Sequence, residues 1–429
     1  MHPLKEIFAG ARLPQKAVYS VCTANPMVIR AAMIHAKKHN YLIVVEATAN
    51  QVNQFGGYTG MTPSDYAELV EKIRSQVGLN KNNIILGGDH LGPLTWQNLE
   101  EEEAMEKAVE LVSAYTMAGF TKIHLDTSMR LASDDRNTAL DVRVCARRGA
   151  KLAASVETAY QVRKNNYPAA ERPVLIIGSE VPIPGGSQEN EDSIRPTKSE
   201  EFHCQHRIFT EEFQRAGVRI EDVVAFVVQP GVEFGDDFVF QYDSFAAANL
   251  CHALKAYAPL VFEGHSTDYQ TRKNLSSMTQ DGIRILKVGP ALTFGLREAL
   301  LQLEECEKLI LKNETDRSHF KETLLEAMNT DDRYWKNYYR GSKDDVEYKK
   351  IYSYSDRCRY YLPDTKISNA IDRLLNNTSR IPEALVSQYF PRQYEAVLNG
   401  EVEACGEKLL LERLGNWCDG YASACGINI

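Results

Sequence analysis

The chain has 429 residues, well beyond one ordinary domain, so it encodes either one large α/β barrel with an appendage or two to three smaller domains. Its 49 Lys and Arg against 58 Asp and Glu give a formal charge of −9, spread along the chain and not gathered into a tail, which argues against a nucleic-acid partner. No stretch approaches the roughly 20 apolar residues of a membrane span, and Met1 to Ala11 has no signal-peptide apolar block, so a cytoplasmic protein with no membrane partner is expected.

Short Val- and Ile-rich runs alternate with helix-period segments from Ala17 onward. They are Ala17 to Cys22, Tyr41 to Ala47, Asn83 to Leu86, Lys122 to Leu125, Val174 to Ile177, Val223 to Val228, Leu260 to Phe262 and Ile285 to Val288. Polar or glycine-rich residues and then a helical pattern follow each run, the βα rhythm of a parallel sheet buried on both faces. After the second run, Gly56-Gly57-Tyr58-Thr59-Gly60 offers backbone N–H groups for a phosphate ahead of a helix, a weak signal on its own. That helix has Thr62 as N-cap, Pro63 at its first position and Asp65 in its first turn, with Tyr66, Leu69, Val70, Ile73 and Val77 at helical spacing. Asn98 with Glu101 predicts a second capping box, making the acidic run Glu100 to Glu103 a helix start.

The βα units predict a closed TIM (β/α)₈ barrel over residues 1–312, with a doubly wound open sheet as the alternative. Residues 313–429 lose the βα rhythm, and Ile367 to Leu375 and Gly406 to Leu414 read as helices of an α-helical appendage. Of 21 tyrosines, 11 lie there, which makes Tyr334-Trp335-Lys336-Asn337-Tyr338-Tyr339-Arg340 either an interface or the means by which the appendage docks on the barrel. Nine cysteines, an odd number with no C-x-x-C pair, read as reduced and mostly buried thiols.

In a βα barrel the active site lies at the C-terminal strand ends. Here these ends carry Asn25, Glu46, Asp89-His90, Asp126, Glu180, Gln229, Glu263-Gly264-His265-Ser266-Thr267 and Gly289-Pro290, with Lys287 on the last strand. His90 and His265 directly follow strand ends, and two imidazoles among carboxylates suit Zn²⁺ or another divalent metal that would polarise a carbonyl and stabilise an enediolate. The competing reading makes each of them a core or supporting histidine. Asp89 and Glu180 are the candidates for proton transfer, and Asn25, Glu46, Asp126, Gln229, Ser266, Thr267 and Lys287 for substrate binding. The chain lacks G-x-x-x-x-G-K-[ST], a strand followed by G-x-G-x-x-G, and G-x-S-x-G, so no nucleotide cofactor is expected and kinase and serine hydrolase readings lose ground.

The segments QVNQFGGYTGMTP (Gln51 to Pro63), GGDHLGP (Gly87 to Pro93), KIHLDTSM (Lys122 to Met129), EVPIPGG (Glu180 to Gly186), VVQPGVEF (Val227 to Phe234), HSTDYQT (His265 to Thr271) and ILKVGPALTFGLRE (Ile285 to Glu298) closely resemble the GatZ/KbaZ family. The likeness runs nearly end to end and includes Tyr334 to Arg340. It implies a TIM-barrel accessory subunit of class II D-tagatose-1,6-bisphosphate aldolase, in galactitol or N-acetylgalactosamine catabolism. Such a subunit supports the activity and stability of a separate zinc-dependent catalytic subunit. Family members have also carried the label tagatose-6-phosphate kinase, which the missing nucleotide loop argues against.

A more distant resemblance is to the catalytic class II aldolases, where an Asp-His pair supplies the proton-transfer acid and a zinc ligand, and two later strands supply further histidines. Asp89 and His90 look like that pair, and His265 lies near the last ligand. Gln229 stands where the middle histidine would be, and a neutral amide is a poor zinc ligand. Their G-G-S-G loop appears here as Gly264-His265-Ser266-Thr267, and their N-x-D-T element as Gly289-Pro290-Ala291. A fold kept while its catalytic constellation is lost is what a helper subunit would show. Two other readings stay open: a metal-dependent epimerase or aldolase acting alone on a ketose or ketose phosphate, and a sugar-phosphate sensor. Self-association is also left open.

Overall fold

The computed structural model describes residues 1–135, 138–178 and 194–429. Eight parallel strands close into a barrel: β1 (Val18–Cys22), β2 (Ile43–Thr48), β3 (Ile84–Leu91), β4 (Lys122–Leu125), β5 (Val174–Ile177), β6 (Val223–Val228), β7 (Val261–Gly264) and β8 (Ile283–Val288). Pairing of β1 with β8, Val18 opposite Ile285 through Val21 opposite Val288, makes the closure and excludes the open sheet. All eight fall on the runs expected from sequence, because a strand covered on both faces must be apolar nearly throughout.

The helices Pro26–Lys38, Pro63–Val77, Glu101–Ala118, Val142–Asn166, Ser199–Arg215, Ser244–Leu254, Arg272–Gln280 and Pro290–Ile310 each follow a strand and ring the barrel. Below, the short helix Pro3–Phe8 inserts Leu4, Ile7 and Phe8 among Val18, Val44, Ile85 and Val174, which shuts the N-terminal end of the barrel with apolar contacts. The chemistry is thereby confined to the other end.

Two local expectations need correcting. Thr62 does form a capping box with Asp65, but Asn98 does not cap the next helix: the Glu101 amide donates to Ser133 Oγ at 3.2 Å, so a loop distant in sequence supplies the cap. The loop Gly56–Gly60 is not a phosphate cradle either. Four of its five amides are engaged internally, Gly56 to Asn53 O, Gly57 to Asn53 Oδ1, Tyr58 to Asn50 O and Thr59 to Gln51 O.

Beyond the barrel lie the helices Phe320–Thr330, Lys343–Tyr352, Thr365–Asn377, Glu383–Tyr389, Tyr394–Leu398 and Gly406–Ala424. The last packs on Pro26–Lys38, Arg272–Gln280 and Pro290–Ile310, and the apolar core continues from barrel into appendage without a break. Gly295 permits the approach: a Cβ there would lie 2.4 Å from Trp417 Nε1. Tyr421 Oη donates to Thr267 O at 2.8 Å, and buried Arg297 pairs with Asp356 at 2.8 Å across the same seam.

The aromatic run packs mostly within the appendage, and Tyr334 also meets Tyr58 of the barrel with ring centroids 6.4 Å apart. Tyr339 is buried, Trp335 Nε1 donates to Met328 O at 2.7 Å, and Tyr334 stacks on Tyr360 with centroids 5.0 Å apart. Of the nine cysteines, Cys145, Cys251, Cys306, Cys358, Cys418 and Cys425 are buried and Cys204 is exposed. Among the described residues, no helix is long and apolar enough to cross a membrane.

Candidate functional site

A bulge aims the Asp-His pair. The register of β3 on β4 shifts between Gly88 and Leu91, and His90 sits at φ 49°, left-handed backbone that a residue with a side chain adopts only where its surroundings impose it. Gly92 lets the chain leave β3 against the end of β4, since a Cβ there would lie 1.7 Å from Asp126 O. Both side chains of the pair are thereby turned into the barrel mouth.

A buried polar network follows from this. Asp89 Oδ1 lies 2.8 Å from His124 Nδ1, and its Oδ2 2.8 Å from Lys287 Nζ. His90 Nδ1 lies 3.0 Å from Asp126 Oδ2, and Asp126 Oδ1 accepts from Ser128 N at 3.0 Å and Ser128 Oγ at 2.6 Å. His265 Nε2 lies 2.9 Å from Glu263 Oε1, whose other oxygen meets Lys122 Nζ at 2.7 Å. Lys122 also meets Glu46 Oε2 at 2.8 Å, and Glu46 pairs with Lys287. The rings of His90, His124 and His265 converge, with centroids 4.9 to 5.3 Å apart.

Protonation states follow from these neighbours. Burial pulls His90 down, but the carboxylates of Asp89 and Asp126 outweigh it and hold the imidazole above its ordinary range. Burial lowers His265 to about 4, leaving a neutral ring with a lone pair to offer. Asp126 is held at about 2 by the His90 bond and charge against the upward pull of burial. Burial pushes the Cys22 thiol well above its ordinary value, so it stays protonated and is no nucleophile.

Three carboxylates (Glu46, Asp89 and Glu263) thus face two ammonium groups (Lys122 and Lys287) and a fourth, Asp126, faces His90, a formal −2 when the imidazoles are neutral. Asp89, His124, Glu263 and His265 each place one ligand atom within 4.8 Å of the others, and His124 Nε2 is buried without a hydrogen-bond partner. Two imidazoles, two carboxylates and surplus negative charge are a donor set that fits a divalent cation. His90 stands beside this set, tied to Asp126 through Nδ1.

Only some of the expected site residues come together at one cavity. Asp89, His90, His265, Ser266 and Lys287 line one cavity of about 80 Å³. Asn25 caps the helix Pro26–Lys38, its Oδ1 accepting from Met27 N at 3.0 Å, and it lines an adjoining chamber of about 300 Å³. Glu46, expected at the substrate, is fully buried and bridges two lysines. Asp126 and Thr267 are also sealed in: Asp126 orients His90, and Thr267 Oγ1 donates to Lys287 O at 2.6 Å. Gln229 folds its own turn, Oε1 accepting from Gly231 N at 2.8 Å and Val232 N at 3.0 Å. Glu180 lies outside the described residues.

Sequence reasoning missed several participants. Lys122 and His124 stand two apart on a strand otherwise apolar, a legible sign of polar side chains facing one barrel interior. Arg359 and Tyr360 line the cavity from the appendage, and no local pattern announces them.

Comparison with known proteins agrees with this architecture along the whole chain. The family described as D-tagatose-1,6-bisphosphate aldolase subunit GatZ/KbaZ-like matches residues 4–426. The chain is 41% identical over 415 residues to the D-tagatose-1,6-bisphosphate aldolase subunit GatZ of Escherichia coli O6:H1, covering 95% of this chain and 96% of the relative. Its identity to the subunit of the same name from Salmonella paratyphi B is 40% over 430 residues, covering 98% and 99%. A crystal structure described as a probable tagatose 6 phosphate kinase from Sinorhizobium meliloti 1021 superposes with a TM-score of 0.86 at 40% identity, covering 95% of this chain and 100% of that one. A barrel with this rim and this appendage, matched from end to end, belongs to the GatZ/KbaZ-like family of D-tagatose-1,6-bisphosphate aldolase subunits.

Proposed function

We propose that this chain is a cytoplasmic accessory subunit of a class II D-tagatose-1,6-bisphosphate aldolase, working with a separate catalytic subunit in the catabolism of galactitol or N-acetylgalactosamine. The observation that carries the reading is the likeness of 40% to 41% to relatives named as that subunit, over 95% to 98% of the chain, appendage included. The kinase description of the solved relative lacks support in this chain, which has no phosphate-cradling nucleotide loop. A partner that binds only the folded form raises its stability by mass action. Titrating the purified chain into the catalytic subunit is therefore expected to raise aldolase rate and half-life to a plateau. An unchanged rate and half-life across the titration would overturn the reading.

The cluster of Asp89, His124, Glu263 and His265 favours a second reading, in which the barrel holds Zn²⁺ or another divalent cation and acts on a ketose or ketose phosphate by itself. The cation, when bound, would polarise a carbonyl. Of the chain's own groups, His90 is placed to take a proton at Nε2 while Asp126 holds its Nδ1–H, and the Lys287 ammonium neutralises developing negative charge in the cavity. Metal analysis of the isolated chain beside His124→Ala tests this. A metal-free wild type, inert towards tagatose and fructose with or without phosphate, would end it.

A further inference from the structure

The loops after β7 and β8 meet at the start of the long helix Pro290–Ile310. In (β/α)₈ proteins this corner, with a helix N-terminus behind it, is a frequent seat for a phosphate group, because first-turn amides point outward with no partner in the helix. Here every amide of that turn is engaged. Leu292 N and Thr293 N donate to Gly289 O at 3.0 and 3.3 Å, and Pro290 has no N–H to give. The two remaining donors, Gly289 N at 3.0 Å and Ala291 N at 2.8 Å, converge on one atom, Asp268 Oδ1.

Asp268 is no ordinary surface cap. It is 3% exposed and forms part of the cavity wall beside Ser266, Gly289 and Arg359. Ser266 and Tyr269 on either side have φ of 52° and 62°, left-handed conformations costly for residues with side chains, and the loop so shaped delivers the carboxylate to both amides. Burial pushes Asp268 up to about 6, so it is still an anion in neutral solution.

We propose that Asp268 is a built-in occupant of the barrel's phosphate seat, a specificity residue that bars ligands carrying a phosphate at the β8 end and leaves the cavity to ligands whose group there is a neutral hydroxyl. The inference concerns the isolated chain and stands whether or not the subunit reading holds. A ligand phosphate at this corner would have to displace a carboxylate already bonded to both donors, or share the space with its charge.

Inorganic phosphate is the probe, with calorimetric titration and phosphate-dependent melting as readouts on the full chain. Wild type is expected to show no saturable binding at this corner, and Asp268→Ala to gain affinity by about tenfold or more. Asp268→Asn removes the same charge but keeps an oxygen on both amides, so it is expected to gain less than the alanine variant. Three results would overturn the proposal: wild type binding phosphate as tightly as Asp268→Ala, no gain in an Asp268→Ala protein that melts cooperatively, or equal gains in the alanine and asparagine variants. Should Asp268→Ala fail to fold, Asp268→Ser is compared with Asp268→Asn on the same terms.

Discussion

Lys122 is the residue on which the interior of the barrel turns. It is fully buried and its ammonium lies 2.8 Å from Glu46 Oε2 and 2.7 Å from Glu263 Oε2. Lys122→Met keeps length and apolar volume while deleting the charge, so it isolates electrostatics from packing. Two buried carboxylates would then share a region that has lost a counter-charge. Breaking a buried pair by removing one partner costs about 3–5 kcal/mol. With an unfolding entropy of about 2.1 cal/mol/K per residue, a chain of 429 residues has ~0.9 kcal/mol/K, so the midpoint should fall by about 3–6 °C. Urea unfolding and differential scanning calorimetry measure it directly. The double variant Lys122→Met/Glu263→Gln removes one of the stranded charges and is expected to recover part of the loss. A loss below ~1 kcal/mol in the single variant, or a double variant less stable than the single, would refute the account of this network.

Three further outcomes are expected. His2 is held at about 3 by burial, so as pH falls from 6.5 the unfolded chain takes up a proton that the folded chain refuses, and stability declines by ~1.4 kcal/mol per pH unit through that window; His2→Asn, which keeps an acceptor for the Leu4 amide, should flatten this part of the profile, and parallel profiles would exclude the assignment. Gly92→Ala drives a methyl into Asp126 O and should cost about 3 kcal/mol or more, with the His90 ring losing the part of its upward pKa shift that Asp126 supplies, read by NMR titration, while the part due to Asp89 remains. Tyr421→Phe leaves Thr267 O without its appendage donor and should cost about 1–2 kcal/mol in urea unfolding, whereas Tyr348→Phe on the surface should stay within ~0.5 kcal/mol of wild type; equal effects would remove the argument that the last helix is anchored there.

What was legible in the sequence follows from the range of the interaction that fixes each feature. The strands were legible because burial on both faces writes itself into consecutive residues, as in Val223–Val228. Thr62 and Asp65 were legible because a capping box is closed within one turn, whereas the partner of the Glu101 amide is Ser133, which only the fold brings near. The polar rim was readable as a list of strand ends but not as a set of roles. Glu46 and Asp89 look alike in sequence, yet one is sealed between lysines and the other faces the cavity, a difference set by the pleat and by the bulge at Gly88. Arg359 and Tyr360 reach the cavity only because the appendage is packed over the barrel, so no window along the chain contains their meaning. Asp268 marks the limit most clearly. Its donors lie 21 and 23 residues away and meet it because β7 and β8 end side by side, so what looks in sequence like one more acidic loop residue is, in the fold, the group that occupies both free amides of the corner.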